Sequence, residues 1–244
     1  MKSDCHNKEE MSRRRLIGIL GAAGAAVLTG CGSSGTSSTS GWSSGSASCV
    51  LTPRLTVGPY FVDDKLNRSD LTTNTSDANV LNGTPLSLTL TVEEYSSSGC
   101  SALAGAQVDV WHADAAGIYS DESSEGSLGQ TYLRGYQVTD STGGVSFKTI
   151  FPGWYAGRTV HIHIMIRTFS SSGAQTFEFT TQLFFDQTLI DAITTTVAPY
   201  SSRGVPDTTN ANDNIYNSAT QLTLATAPSG GGYTAALTIG VKTS

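Results

Sequence analysis

His161-Ile162-His163 sets two imidazoles two residues apart. In an extended strand such residues point to the same face, roughly 6–7 Å apart along the chain. Two imidazoles so placed can converge on one metal ion, although the bare pair by itself fits an ordinary pair of half-buried strand histidines better. The surroundings add to the first reading. Pro152-Gly153-Trp154-Tyr155 lies just upstream, and a Pro-Gly turn there throws Tyr155 out of regular structure at the mouth of the strand. Further upstream, Trp111-His112-Ala113-Asp114-Ala115-Ala116-Gly117-Ile118-Tyr119 carries a second tyrosine on a loop leaving another strand. Phenolate is a hard anionic oxygen donor, so two tyrosines with two imidazoles suit Fe(III) rather than Zn(II) or Cu(I). A free tyrosine has a pKa of about 10, and a trivalent cation would deprotonate it outright. Arg158, in the same stretch as His161, would set a guanidinium where it favours developing negative charge. Its alternative is a surface cation at a strand start. A zinc hydrolase would use a Glu or Asp base near the histidines, and none stands there in the sequence.

Together these stretches resemble the intradiol ring-cleavage dioxygenases, the family of protocatechuate 3,4-dioxygenase and catechol 1,2-dioxygenase, in its stand-alone exported branch. The likeness runs from Cys49 to near the C-terminus. It is carried by Cys49-Val-Leu-Thr-Pro53, Gly58-Pro-Tyr60, Ala106-Gln-Val-Asp-Val-Trp-His112 and Gly117-Ile-Tyr119. Leu133-Arg-Gly135, Phe151-Pro-Gly-Trp-Tyr155, Gly157-Arg-Thr-Val-His-Ile-His163 and Gln182-Leu-Phe-Phe185 complete it. The resemblance implies an Fe(III) site with Tyr119, Tyr155, His161 and His163 as ligands and water or hydroxide in a fifth position. By the family pattern Tyr119 and His161 are equatorial, and Tyr155 and His163 axial. Tyr155 is then the ligand that gives way to substrate and accepts its proton, and Arg158 stabilises negative charge on a ring carbon. Gln182 matches a family glutamine beside the substrate, although a polar residue in an apolar strand also fits an edge position. Gly58, Pro59 and Tyr60 correspond to the family's N-terminal substrate-pocket segment, with Val57 where relatives often carry an acid. Arg134 and His112 fall outside the ligand pattern and read as structural, His112 as a satisfied strand-end histidine. The implied reaction is Fe(III)-dependent cleavage of a catechol-type ring by O2, giving a muconate-type dicarboxylic product. The alternative is an exported β-sandwich binding lipoprotein that keeps the fold without turnover.

The elements that must hold these residues read as strands. Leu86-Ser-Leu-Thr-Leu-Thr-Val92 alternates apolar and polar residues, as a half-buried strand should. Further strands are expected at 106–112, 131–139, 145–150, 159–167, 176–184, 221–225 and 234–241. They are separated by turn signals at Ser141–Gly144, Pro152-Gly153, Ser170–Gly173 and Ser229–Gly232. Only Gln187–Thr196 reads as helical. Many short strands with Gly-rich turns define an all-β fold, a two-sheet sandwich with long connecting loops. The polar stretch Pro199–Asn217 is expected to be a functional lid or a packing cover. No internal repeat is present.

Charged residues make up only 14 % of the chain, and the formal charge is −6. Without residues 1–30, nine Lys/Arg remain against seventeen Asp/Glu, a net −8. An acidic protein with no basic cluster argues against a nucleic-acid partner. Ser12-Arg-Arg-Arg-Leu-Ile-Gly18, followed by the apolar run Ile19–Leu28, resembles a twin-arginine export signal. That run is too short for a membrane span, which needs about 20 residues. Leu28-Thr-Gly-Cys31 resembles a lipobox, so residues 1–31 are expected to be the signal, with a membrane anchor through lipidated Cys31 and an extracytoplasmic location. Residues 32–48 are almost entirely Ser, Gly and Thr, the composition of a flexible tether, and 49–244 form the domain. Cys49 and Cys100 are a natural disulfide pair in an oxidising compartment, tying the domain start to a hairpin around Ser96–Gly99. Ala113, where relatives often have a cysteine, supports that pairing. The expected partners are a small aromatic diol and O2, no second kind of subunit is required, and a homo-oligomer is compatible with the chain.

Overall fold

Alternation at residues 86–92 decides the first sheet. In the computed structural model, which describes residues 50–75, 77 and 81–243, Leu86, Leu88, Leu90 and Val92 are fully buried along strand β1 (Pro85–Ser96), while the intervening residues through Thr89 face solvent. Each such side chain contributes about 1.5–3 kcal/mol relative to exposure. β1 is the hub of this sheet. It pairs antiparallel with β2 (Gly99–Ala102) and β5 (Gly144–Ile150), and parallel with β9 (Tyr233–Val241), which in turn pairs with β8 (Leu224–Thr226). The second sheet has the order β4–β3–β6–β7, from β4 (Arg134–Val138), β3 (Gln107–Trp111), β6 (His161–Phe169) and β7 (Gln175–Phe184), all antiparallel. The inner faces meet in one apolar core that includes Leu88, Val110, Ile162, Ile164 and Leu183. The all-β sandwich expected from the sequence is the observed fold.

The helix reading at 187–196 coincides with the one α-helix among the described residues, α1 (Gln187–Thr196). Asp186 caps it by accepting from the amides of Thr188 and Leu189, and Ile190 and Ile193 turn inward. The strand expected from 131 starts instead at Arg134, because Leu133 is held at φ +55°, outside the extended region. The strand expected at 221–225 is shorter and shifted to 224–226, and Gln221 makes only an isolated bridge to Phe184. Residues 199–217 form a cover over one end of the second sheet. The side chain of Asn210 accepts from the Thr159 hydroxyl and donates to the Phe185 carbonyl. Cys100 is disulfide-bonded. Cys49, Cys31, the export signal and the Ser/Gly-rich tether lie outside the described residues.

β6 differs from an ordinary sandwich strand because both its faces are buried, from His161 to Arg167. Its even-numbered residues, Ile162, Ile164 and Ile166, enter the core between the sheets. Its odd-numbered residues face outward and are roofed by the N-terminal segment. Thr52 N–H donates to Gly240 O and Leu55 N–H to Thr180 O, so residues 52–55 tie both sheets together.

His112, at the end of β3, joins the sheets. Its Nδ1–H donates to Ala113 O at 2.8 Å, and its Nε2 accepts from the Thr149 hydroxyl of β5 at 2.7 Å. Full burial pushes its pKa down to about 4. The neutral ring is therefore favoured in the fold, while the unfolded chain takes up a proton below about 6.5. Stability is present above that pH and is lost as pH falls towards 4, by about 3 kcal/mol for this residue. Urea denaturation across this range should show the slope, and His112→Gln should remove about one proton's worth of it. An unchanged slope in the variant would refute the assignment.

Candidate active site

Four outward-facing residues form one row across the second sheet: Arg134 of β4, Trp111 of β3, His163 of β6 and Gln182 of β7, each opposite the next. His161 lies two residues earlier on the same face, at the first position of β6. The two imidazoles meet, with 3.1 Å between their Nε2 atoms. His161 Nδ1–H donates to Thr159 O at 2.6 Å, which leaves its Nε2 lone pair facing the site. Burial depresses both pKa values, that of His161 to about 3 and that of His163 well below its ordinary value, so both rings are neutral. Trp111 stacks on His163 almost in parallel, at 4.8 Å and 7°.

The two tyrosines arrive from loops that clamp each other. Gly153 N–H donates to Asp114 O at 2.9 Å, and a Cβ on Gly153 would stand 2.5 Å from the carbonyl oxygens of Asp114 and Ala115. Gly117, at φ +80°, lies so close to the Trp154 carbonyl that any side chain would overlap it. Glycine at these two positions lets the 113–119 loop press against the 151–157 loop. Tyr119 and Tyr155 then meet edge to face at 5.6 Å between ring centres. The Tyr155 hydroxyl is 3.3 Å from His161 Nε2, and the Tyr119 hydroxyl is buried with no hydrogen-bond partner. Burial raises the pKa of both phenols, with the neighbouring Tyr155 adding to the rise at Tyr119 and Arg158 opposing it.

All four residues read from the sequence as metal ligands are thus brought together on the outer face of one sheet, at the strand ends. Arg158 is beside them. Its Nη1 is 3.5 Å from His161 Nε2, its Nη2 donates to Gln182 Oε1 at 2.6 Å, and its Nε donates to Asp213 Oδ2 at 2.8 Å. Gln182 lies on the edge strand β7, yet it is fully buried in the row and donates to Thr56 O. Gly58 and Tyr60 also reach the site. Gly58, at φ +70°, leaves room for the His163 ring, from which a Cβ would be 3.1 Å. Tyr60 stacks on Tyr119 at 4.3 Å and meets Tyr155 edge-on at 5.8 Å. Pro59 between them is exposed. Arg134 is structural, as expected. It is buried, donates to Ser120 O and Tyr60 O, and pins the roof to the Tyr119 loop.

Sequence reasoning missed Asp213. Its side chain, 1 % exposed, accepts from Arg158 Nε and from the amides of Thr159 and Ile215. Burial pushes its carboxyl pKa up, but the two amides and Arg158 outweigh that and hold it below the ordinary range. No local pattern marks Asp213, because it lies in the loop that covers the sheet end. Among the described residues no three His, Cys, Asp or Glu side chains cluster, so any metal held here would need the phenols.

Residues 56–221, well over half the chain, match the family model described as dioxygenase. Among solved structures, the chain is similar to an intradiol ring-cleavage dioxygenase from Tetranychus urticae, with 27 % identity, a TM-score of 0.65, and 80 % of this chain and 96 % of that one covered. It is also similar to the dioxygenase domain of a dioxygenase–carbohydrate-binding protein fusion from Streptomyces sp. SirexAA-E, with 27 % identity, a TM-score of 0.56, and coverage of 79 % and 99 %. Catechol 1,2-dioxygenase from Acinetobacter sp. ADP1 shares the fold at 22 % identity, with a TM-score of 0.54 and coverage of 78 % and 62 %. No curated protein matches by sequence. The chain belongs to the intradiol ring-cleavage dioxygenases. As a class these are oxidoreductases that open catechol-type rings.

The Arg158–Asp213 pair gives a stability test. Removing one partner of a buried pair strands the other charge and costs about 3–5 kcal/mol, whereas an exposed pair contributes about 0–1 kcal/mol. Asp213→Ala should therefore lower the unfolding free energy far more than Lys148→Ala, which breaks the exposed Lys148–Asp70 pair. Equal losses in chemical denaturation would show that Asp213 does not anchor Arg158.

Proposed function

We propose that the chain binds Fe(III) through Tyr119, Tyr155, His161 and His163 and uses O2 to open a catechol-type ring between its hydroxylated carbons, giving a muconate-type dicarboxylic acid. The observation that carries this reading is the convergence of two neutral imidazole nitrogens, 3.1 Å apart, with two phenols, one of them buried and unpaired. Burial of two phenols raises their pKa values, which is unfavourable for anions unless a cation sits between them. A trivalent ion reverses that preference, since a coordinated acid is deprotonated. The donor set fits a hard ion of high charge. When bound, Fe(III) supplies the Lewis acidity that keeps both phenols ionised and makes a catecholate reactive towards O2.

The chain's own residues divide the remaining work. Tyr119, His161 and His163 are buried and fixed by their neighbours. Tyr155 is half-buried beside exposed Ala156 and Gly157, so it is the donor free to move and to take a hydroxyl proton from the incoming diol at its phenolic oxygen. Arg158, held by Asp213, faces the site and favours negative charge on the ring. Gln182, held by Thr56 and Arg158, orients what lies beneath it. Trp111, Phe61 and Tyr60 wall the site with aromatic surface and keep water away.

Iron-loaded protein should be purple-red, because phenolate-to-Fe(III) charge transfer absorbs visible light, and its colour should shift as a catechol is added and O2 is consumed. Tyr155→Phe should bleach much of that colour and lower turnover by about 100-fold or more. Colourless, iron-free protein after reconstitution would sink the proposal. Colour without O2 uptake would instead favour the binding lipoprotein. We further propose export with a lipid anchor at Cys31. Cys31→Ser should then move the protein from the membrane fraction to the soluble one, and unchanged fractionation would refute the anchor.

A further inference from the structure

We propose that this site selects catechols whose rings carry no anionic substituent and rejects ring carboxylates. The inference rests on the reading of the site as a catechol site and concerns what else the ligand carries. A carboxylate entering a buried site needs a cation or several donors, since leaving it unpaired is costly. Among the described residues four arginines stand near this site and none is available; Arg167, over the Phe61 ring, is held by Asp63 and Asp109.

Arg158 is the cation in contact with the site, and its charge is already matched. Nε serves Asp213, Nη2 serves Gln182, and Nη1 lies against His161. Asp213 is itself immobilised by the amides of Thr159 and Ile215. Swinging Arg158 towards a ligand would strand that buried carboxylate. Arg134 is buried behind the Tyr119 ring, 6.0 Å from its centre, with its donors committed to Ser120 and to the Tyr60 carbonyl. Arg203 stacks on Trp154 at 4.5 Å and donates to Ala116 O. Trp154 packs against the sandwich core, whereas the adjacent Tyr155 packs against the site cluster. Arg203 therefore lies on the far side of that loop.

The rim adds negative charge. Ser127 Oγ–H donates to Tyr119 O at 2.5 Å, and the Glu122 amide donates to the same Ser127 oxygen at 3.0 Å. These bonds fold the 121–127 loop, with Asp121, Glu122 and Glu125, back onto the Tyr119 backbone. Arg158 is held where it serves the ring itself, so among the described residues an anionic substituent finds no arginine free to turn towards it, while an uncharged ring loses nothing.

The test compares 4-methylcatechol with 3,4-dihydroxybenzoate, which differ in the charge of one substituent. Iron-loaded protein is titrated without O2 at pH 7, and Kd is read from the visible spectrum and by calorimetry. O2 uptake is then measured separately. The carboxylate should bind about 100-fold more weakly, and Glu122→Gln with Glu125→Gln should narrow the ratio by a few-fold. A ratio below tenfold, or a preference for the carboxylate, overturns the inference and leaves the proposed function standing. Selective binding without O2 uptake supports the selectivity and sinks the catalytic reading. Failure to bind either ligand overturns both.

Discussion

Two neutral imidazoles held nitrogen to nitrogen at 3.1 Å are the constraint on which the rest of this site depends. Burial disfavours the charged form of both rings. His161 has spent its N–H on the Thr159 carbonyl, so its other nitrogen can only accept. A neutral His163 can donate its Nε2–H to that nitrogen, and the Tyr155 hydroxyl also reaches it, so the lone pair of His161 is the point on which the neighbouring side chains converge. The unpaired Tyr119 hydroxyl and the half-buried Tyr155 hydroxyl complete the same cluster.

Holding that arrangement explains features that look unrelated along the chain. Gly117 and Gly153 allow two loops to approach more closely than any side chain permits. Arg134 is consumed in joining the roof to the Tyr119 loop. Trp111 and Gln182 flank His163 because register places them opposite it on neighbouring strands. Arg158, a charged group turned towards the site, is paired with a carboxylate from a loop 55 residues away. The site is therefore polar, yet close to charge-balanced in its protein part.

Much of this was legible in the sequence, for identifiable reasons. A two-residue period places His161 and His163 on one face of a strand whatever its partners are. Alternation at 86–92 locates the hub of the first sheet, and the match to family motifs brings Tyr119, Tyr155, Arg158 and Gln182 into one picture. Other features depend on register and packing, which leave no local trace. The burial of both faces of β6 was hidden, since His161 and His163 look like solvent-side residues until the N-terminal segment is laid over them. Asp213 was hidden as well, because a lone acid in a polar loop resembles any surface acid until the loop folds across the sheet end. Leu133 shows the same limit at smaller scale, its left-handed backbone shortening a strand that composition alone would extend.

The roof over the outer face has one more consequence. It is a single extended segment, fastened by main-chain bonds at Thr52 and Leu55, by side-chain bonds at Gln182, Thr180 and Thr181, and further along by Arg134 at the Tyr60 carbonyl and Arg167 at Asp63. Segments with few such fastenings open at lower free-energy cost than the sheets they cover. Gly58 of this strap lies directly over the His163 ring, so the strap is what separates that imidazole from solvent. On the proposed reading of the site, the lifetime of a bound ion follows the opening of this strap rather than the melting of the whole domain.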